Sequence, residues 1–248
     1  MSDLRSEIIS VIENSVASAD DRELFRQPLV GFASAADPLF AEIPRLVGDC
    51  HLKPADFLPQ AATVVSFFIP FSKKIVEGNR GKGPVSREWG VAYLKTNALI
   101  NRTCELVVET VVDAGALAAT VPATSSFDEK TLKAAWSHRS AAFVAGLGRF
   151  GLNHMLIGPS GGAGRYGTVF ISPELQPSER STEETCLYFK NTSCQVCLKV
   201  CPAEALAVDS FDNHKCYELV KANSEMLDLG QLCEVCGKCV VSGPCAYY

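Results

Sequence analysis

Nine of the eleven cysteines in this 248-residue chain fall within its last 63 positions: Cys186, Cys194, Cys197, Cys201, Cys216, Cys233, Cys236, Cys239 and Cys245. Only Cys50 and Cys104 precede them. Thiols bunched in this way must converge either as disulfides or as metal ligands. The N-terminal stretch MSDLRSEIIS has no basic segment leading into an apolar one, so no secretory signal is expected and the chain reads as cytoplasmic. A reducing compartment disfavours disulfides, which leaves metal ligation. The longest apolar run, 61–71, is broken by Ser66 and Pro70 and is too short to span a bilayer, so no membrane partner is expected. With 47% hydrophobic and 21% charged residues the chain has globular composition.

The spacing of the cysteines narrows the chemistry. Cys194-x2-Cys197-x3-Cys201-Pro202 matches the end of the bacterial ferredoxin run C-x2-C-x2-C-x3-C-P, whose last cysteine ligates the other of two clusters. The first cysteine of that run would fall at Asn191, which cannot serve, and Cys186 is the natural substitute across the insertion LYFKN. Downstream, Cys233-x2-Cys236-x2-Cys239 is followed by Cys245, with Cys216 between the two halves. Two four-iron cubes need about eight thiolates, so one of the nine is surplus. Ferredoxin logic assigns Cys186, Cys194, Cys197 and Cys245 to one [4Fe-4S] cluster and Cys201, Cys216, Cys236 and Cys239 to the other. Cys233 is then the spare, or an alternative ligand. Structural zinc also uses C-x2-C pairs; the Cys-Pro step and the x3 spacing argue against it. Cys50 and Cys104 read as core or incidental thiols.

Up to the polar stretch at 173–185, helix and strand patterns alternate. Ile8, Ile9, Ile12 and Val16 predict a helix over 3–18, capped by Ser2 or Asp3. Strands are expected at 29–34, 62–69 (buried and central) and 117–121, with a long helix over 89–114. Residues 130–145 have helical composition, and 155–157 and 166–171 look like paired strands. The basic segment 73–87 reads as a solvated loop, or as a mobile loop receiving an anion. A helix is expected at 203–208. The expected fold is α+β: a layered domain over 1–180 that binds a cofactor or substrate, then a ferredoxin-like double [4Fe-4S] domain over 181–248.

The glycine-rich segment AGLGRFGLN (145–153) permits a helix end, a tight turn and close backbone approach to a ligand. It ends a helix rather than opening one, which argues against a dinucleotide fingerprint. Gly146, Leu147, Gly148, Gly151, Asn153 and Arg165 are the candidate cofactor-binding residues. His138, just upstream, is the candidate proton donor and hence the candidate catalytic residue, with Arg165 and Tyr166 as further proton or anion partners.

The joining of AGLGRFGLNHMLIGPSGGAGRYGTVF to the C-x2-C-x3-C-P run, the following Cys216 and the later C-x2-C pair resembles the epoxyqueuosine reductase family. The resemblance is specific over the last half of the chain and architectural before residue 130. It implies a cobalamin or other corrinoid over a cleft, two [4Fe-4S] clusters that deliver electrons, and a reduction reaction, a plan the reductive dehalogenases share. The chain also departs from the family pattern. The position of the family's catalytic aspartate falls on Leu132, with Asp128 and Glu129 out of register, and the lysine after the third glycine is Leu152. The longer members' C-terminal extension does not follow Tyr248. The net charge of −5, of which 18 basic against 21 acidic residues before position 186 carry −3, does not suggest tRNA as a partner. The expectation is an iron–sulfur oxidoreductase that receives electrons from a ferredoxin- or flavodoxin-type donor. The alternative is a non-catalytic electron-transfer or reductive-activator protein that docks on a corrinoid protein.

Overall fold

The computed structural model describes residues 4–124 and 127–247. Ser2 and Asp3, the expected cap of the first helix, lie outside the described residues. Along the chain run α1 (Leu4–Ala17), β1 (Leu29–Ser34), α2 (Pro38–Val47), α3 (Pro54–Phe57), β2 (Thr63–Pro70), α4 (Lys73–Gly78), α5 (Arg87–Asp113) and β3 (Ala118–Thr120). Two short antiparallel pairs follow, β4 (Phe127–Asp128) with β5 (Lys133–Ala134), and β6 (Arg149–Phe150) with β7 (Leu156–Ile157), separated by α6 (His138–Val144). Then come β8 (Gly164–Ile171) and the cysteine-rich tail, which holds α7 (Leu187–Asn191), α8 (Val196–Val200), α9 (Asn213–Leu227) and α10 (Lys238–Val241).

The central sheet has the order β1-β2-β8-β3 and is antiparallel throughout. It is covered on both faces, so β2 is buried at every position. Val65, Phe67 and Ile69 face α1 and α5, while Val64 and Phe68 face α2, α6 and the segment 145–157. Alternation along one strand therefore fills two cores. The larger core does not stop at the tail: Leu227, Cys233, Val235, Val240, Val241 and Ala246 pack into the same cluster as Ile8, Phe67 and Trp89. Among the described residues no helix is long and apolar enough to cross a membrane.

Several local expectations change. The stretch 130–145 is a hairpin followed by a short helix. Asp128 Oδ1 accepts from the Lys130 and Thr131 backbone N–H groups and from the Thr131 hydroxyl, closing a turn where a helix would have started. Ser137 then caps α6 by accepting from the Ser140 N–H. The segments at 155–157 and 166–171 do not pair with each other: β7 pairs with β6, and β8 lies between β2 and β3. Residues 203–208 are not helical; Glu204 has φ 49° and Leu206 bridges to Phe211. The basic segment 73–87 is a solvated loop only over 80–84. It forms α4 and then buries Asn79, whose side chain donates to the Cys236 carbonyl and accepts from the Ser86 N–H.

Gly167 faces Phe67 across the sheet, and a Cβ at this glycine would run into the Phe67 ring. Gly167→Ala is expected to lower unfolding free energy by about 1–3 kcal/mol. In a Phe67→Leu background the same change should cost measurably less, which a double-mutant cycle on urea midpoints would read out.

Candidate functional site

All eleven cysteines are unpaired. The tail folds eight of them into two sets. Cys186, Cys194, Cys197 and Cys245 line one small cavity, against Leu152 and Ile157. Cys201, Cys216, Cys236 and Cys239 line a second, of about 300 Å³. Among the described residues no three His, Cys, Asp or Glu side chains close on a single point as one ion would require; each set surrounds a space instead. Cys233 belongs to neither set. It is buried beside α5, where its thiol reaches the Gly90 carbonyl at 3.6 Å.

Burial pushes the thiols up in both sets, and their own neighbours add to it. Cys245 is raised to about 11, first by burial and then by Cys186, Cys197 and Cys194. Cys216 is raised to about 11 by burial and then by Cys236 and Cys201. Cys239 is raised by burial, then by Cys236, Cys216 and Cys201. Thiols raised in this way, by burial and by their neighbours, become thiolates together only when a cation joins them. A charge of the matching sign is already in place: Lys238 is buried, donates to the Asn79 carbonyl at 3.0 Å, and lies near Cys236. The Ala205 N–H donates to Cys201 Sγ at 3.3 Å, a bond that stabilises negative charge on sulfur.

Asn153 stands between the two sets, lining both cavities. Its amide donates to the Cys239 carbonyl at 3.2 Å and its oxygen accepts from the Met155 N–H at 3.1 Å. The other candidates from the glycine-rich segment take a different role. Gly146 (φ 80°) packs against the Glu179 carbonyl, Gly148 against the Ile157 carbonyl, and Gly151 against Ile157 and Asn153. Leu147 is buried against Phe68 and Tyr166. None of these four residues lines the open pocket or either thiol cavity.

An open pocket of about 520 Å³ lies between β8, α6 and the β4–β5 hairpin. Arg139, Met155, Gly164 and Arg165 line both this pocket and the second thiol cavity. His138 forms part of its wall, but both ring nitrogens are engaged. Nε2 lies 3.0 Å from the Pro122 carbonyl, which can only accept, so Nε2 carries the hydrogen. Nδ1 then accepts from the Thr168 hydroxyl at 2.8 Å. Burial, and secondarily the Arg165 charge, hold the ring down to about 4, so it is neutral at physiological pH. Tyr166 also lines the pocket; it donates to the Leu156 carbonyl, and burial raises its phenol. Asp128 serves the hairpin turn, and neither it nor Glu129 lines the pocket.

Three participants left no motif. His51 is buried with Nε2 accepting from the Ser137 N–H at 3.0 Å, which anchors the cap of α6. Trp136 stacks among Phe40, His51 and Phe170 beneath the pocket. Tyr93 presents its ring 4.2 Å from the Arg165 guanidinium. Tyr93 sits on the inward stripe of the long helix α5, and that stripe was the one available signal.

No protein-family model and no curated protein matches this sequence. Solved structures do match. An epoxyqueuosine reductase from Bacillus subtilis, with a catalytic loop swung out of its active site, superposes over 98% of this chain at TM-score 0.59 and 16% identity. The chain spans 66% of that protein's length. An epoxyqueuosine reductase in complex with a tRNA-Tyr stem loop matches over 88% of this chain and 58% of its own, at TM-score 0.55 and 15% identity. A catabolic reductive dehalogenase matches over 89% of this chain and 30% of its own, at TM-score 0.60 and 16% identity. The chain therefore has the fold of the epoxyqueuosine reductases, which the reductive dehalogenases share.

The neutral state of His138 makes the fold sensitive to acid. Its folded value, about 4, lies below the ordinary 6.5, so between these the unfolded chain binds more protons. The stability it contributes is complete above about pH 6.5 and is lost as the pH falls towards about 4. In His138→Gln, urea midpoints measured across that window should fall less steeply than in the parent.

Proposed function

We propose that this chain is an iron–sulfur oxidoreductase. In this reading Cys186, Cys194, Cys197 and Cys245 hold one [4Fe-4S] cluster, Cys201, Cys216, Cys236 and Cys239 hold a second, and the open pocket receives a corrinoid or the substrate itself. The observation that carries the reading is adjacency: the second thiol set and the pocket share Arg139, Met155, Gly164 and Arg165 as a common wall. The donor chemistry fits, since each set offers four sulfurs, Glu234 is the one carboxylate lining either cavity, and Lys238 supplies a buried positive charge beside the second. When bound, such clusters exchange single electrons and a corrinoid supplies a reducible metal.

The chain's own residues then have defined tasks. Asn153 fixes the separation of the two thiol sets through its bond to Cys239. The Ala205 N–H stabilises charge on Cys201. Trp89, Val235 and Val240 give the second cavity apolar walls that keep water from the sulfurs. His138, neutral and doubly bonded, positions the Thr168 and Pro122 side of the pocket in this reading. Electrons would come from a ferredoxin- or flavodoxin-type donor. A structural neighbour is known with a tRNA stem loop; the net charge of −5 favours a small-molecule substrate here.

The second reading, an electron-transfer or activator protein docking on a corrinoid protein, draws support from Leu132 standing where the related enzymes place an acid. Titration of reconstituted protein with cobalamin separates the two. Stoichiometric binding favours the enzyme, and cluster absorption alone favours the carrier.

Iron analysis tests the ligand sets. The anaerobically reconstituted chain is expected to hold about eight irons. Cys201→Ser should lose about half of them, whereas Cys233→Ser should keep them all. Full iron in the first variant, or loss of a cluster in the second, would overturn the assignment.

A further inference from the structure

We infer that the open pocket takes an organic anion, a carboxylate or phosphate carried on an apolar body, whose oxygens are bound by Arg139 and Arg165. This deepens the reading above and rests on it for the pocket's role. The chain as a whole is acidic, with 28 Asp and Glu against 23 Lys and Arg, yet none of the residues lining this pocket is acidic. Lys133, Arg139 and Arg165 all line it, and none of the three forms an ion pair with a carboxylate among the described residues.

The two arginines are held but not neutralised. Arg139 Nη1 bonds the His154 carbonyl at 3.0 Å. Arg165 Nη2 reaches the Ala123 carbonyl at 3.3 Å and lies over Tyr93. They lie close enough for their charges to oppose each other. A guanidinium has five N–H donors in a planar fork, and the neutral partners here, with Met155 Sδ on Arg139 and the Thr124 hydroxyl on Arg165 besides the carbonyls, take up only part of them. Fixed on backbone and ring, with donors to spare, the pair is preorganised for the oxygens of one anion.

The opposite wall supplies the apolar half. Leu132 lines the pocket with φ 56°, a left-handed conformation that favours glycine or asparagine. That conformation closes the β4–β5 turn, with the Leu132 N–H donating to the Asp128 carbonyl, and it sets the leucine's apolar side chain on the pocket wall. Val47 lines the same pocket.

The test is isothermal titration of the anaerobically reconstituted full chain with benzoate and with inorganic phosphate, using benzyl alcohol as the uncharged control. Iron is measured in the same samples. At least one anion is expected to bind saturably at one site while benzyl alcohol does not. Arg139→Gln and Arg165→Gln should each weaken that binding about tenfold or more, and Arg45→Gln, an exposed arginine paired with Glu42, should leave it unchanged. Preference for benzoate identifies a carboxylate ligand, and preference for phosphate a phosphorylated one. The inference is overturned if neither anion binds at millimolar concentration, or if both arginine variants bind as the parent does. Anion binding without iron would leave the inference standing and remove the cluster reading; iron without anion binding would do the reverse.

Discussion

Mutual opposition among buried thiols is the constraint on which the rest of this structure depends. Each of the two sets gathers four sulfurs, and in each a thiol that burial raises is raised further by its neighbours: Cys245 by Cys186, Cys239 by Cys236. The chain nonetheless spends a large part of its tail on bringing them together. It seats α9 and α10 against α5, buries Lys238 next to Cys236, and runs Asn153 between the sets. These features make sense together if positive charge is to be supplied at both places.

Much of this was legible in the amino-acid sequence because cysteine spacing is a geometric statement. A C-x2-C pair cannot separate its two sulfurs far, and Cys201, followed by Pro202, is carried away from Cys194 and Cys197 into the other set. The strands at 29–34 and 63–70 and the long helix α5 were equally plain, since each repeats its pattern over enough residues to outweigh local preferences. What stayed hidden depended on single side chains acting at a distance in sequence. Asp128 turned an apparently helical stretch into a hairpin through bonds to Lys130 and Thr131. His51 supports Ser137 across 86 positions, and no periodicity announces such a bond.

The glycine-rich segment shows how close backbone approach can serve the chain's own packing. Close approach was the right inference, but the partners approaching Gly146 and Gly148 are the carbonyls of Glu179 and Ile157. The segment's contribution to the site comes from the residue next to its last glycine pair, Asn153, and the pocket's polar wall comes from α6 and β8. Likeness to longer reductases at 15–16% identity extends to the scaffold alone.

The shared core has a consequence for how such a protein can be made or divided. Cys233, Val235, Val240, Val241 and Ala246 belong to the same buried cluster as Ile8, so one core spans both halves suggested by composition. Severing the polypeptide near residue 181 would strip a side from the sheet's larger core and leave Trp89 and Phe71 facing water. The sulfur-rich region is therefore also a wall of the sheet's larger core.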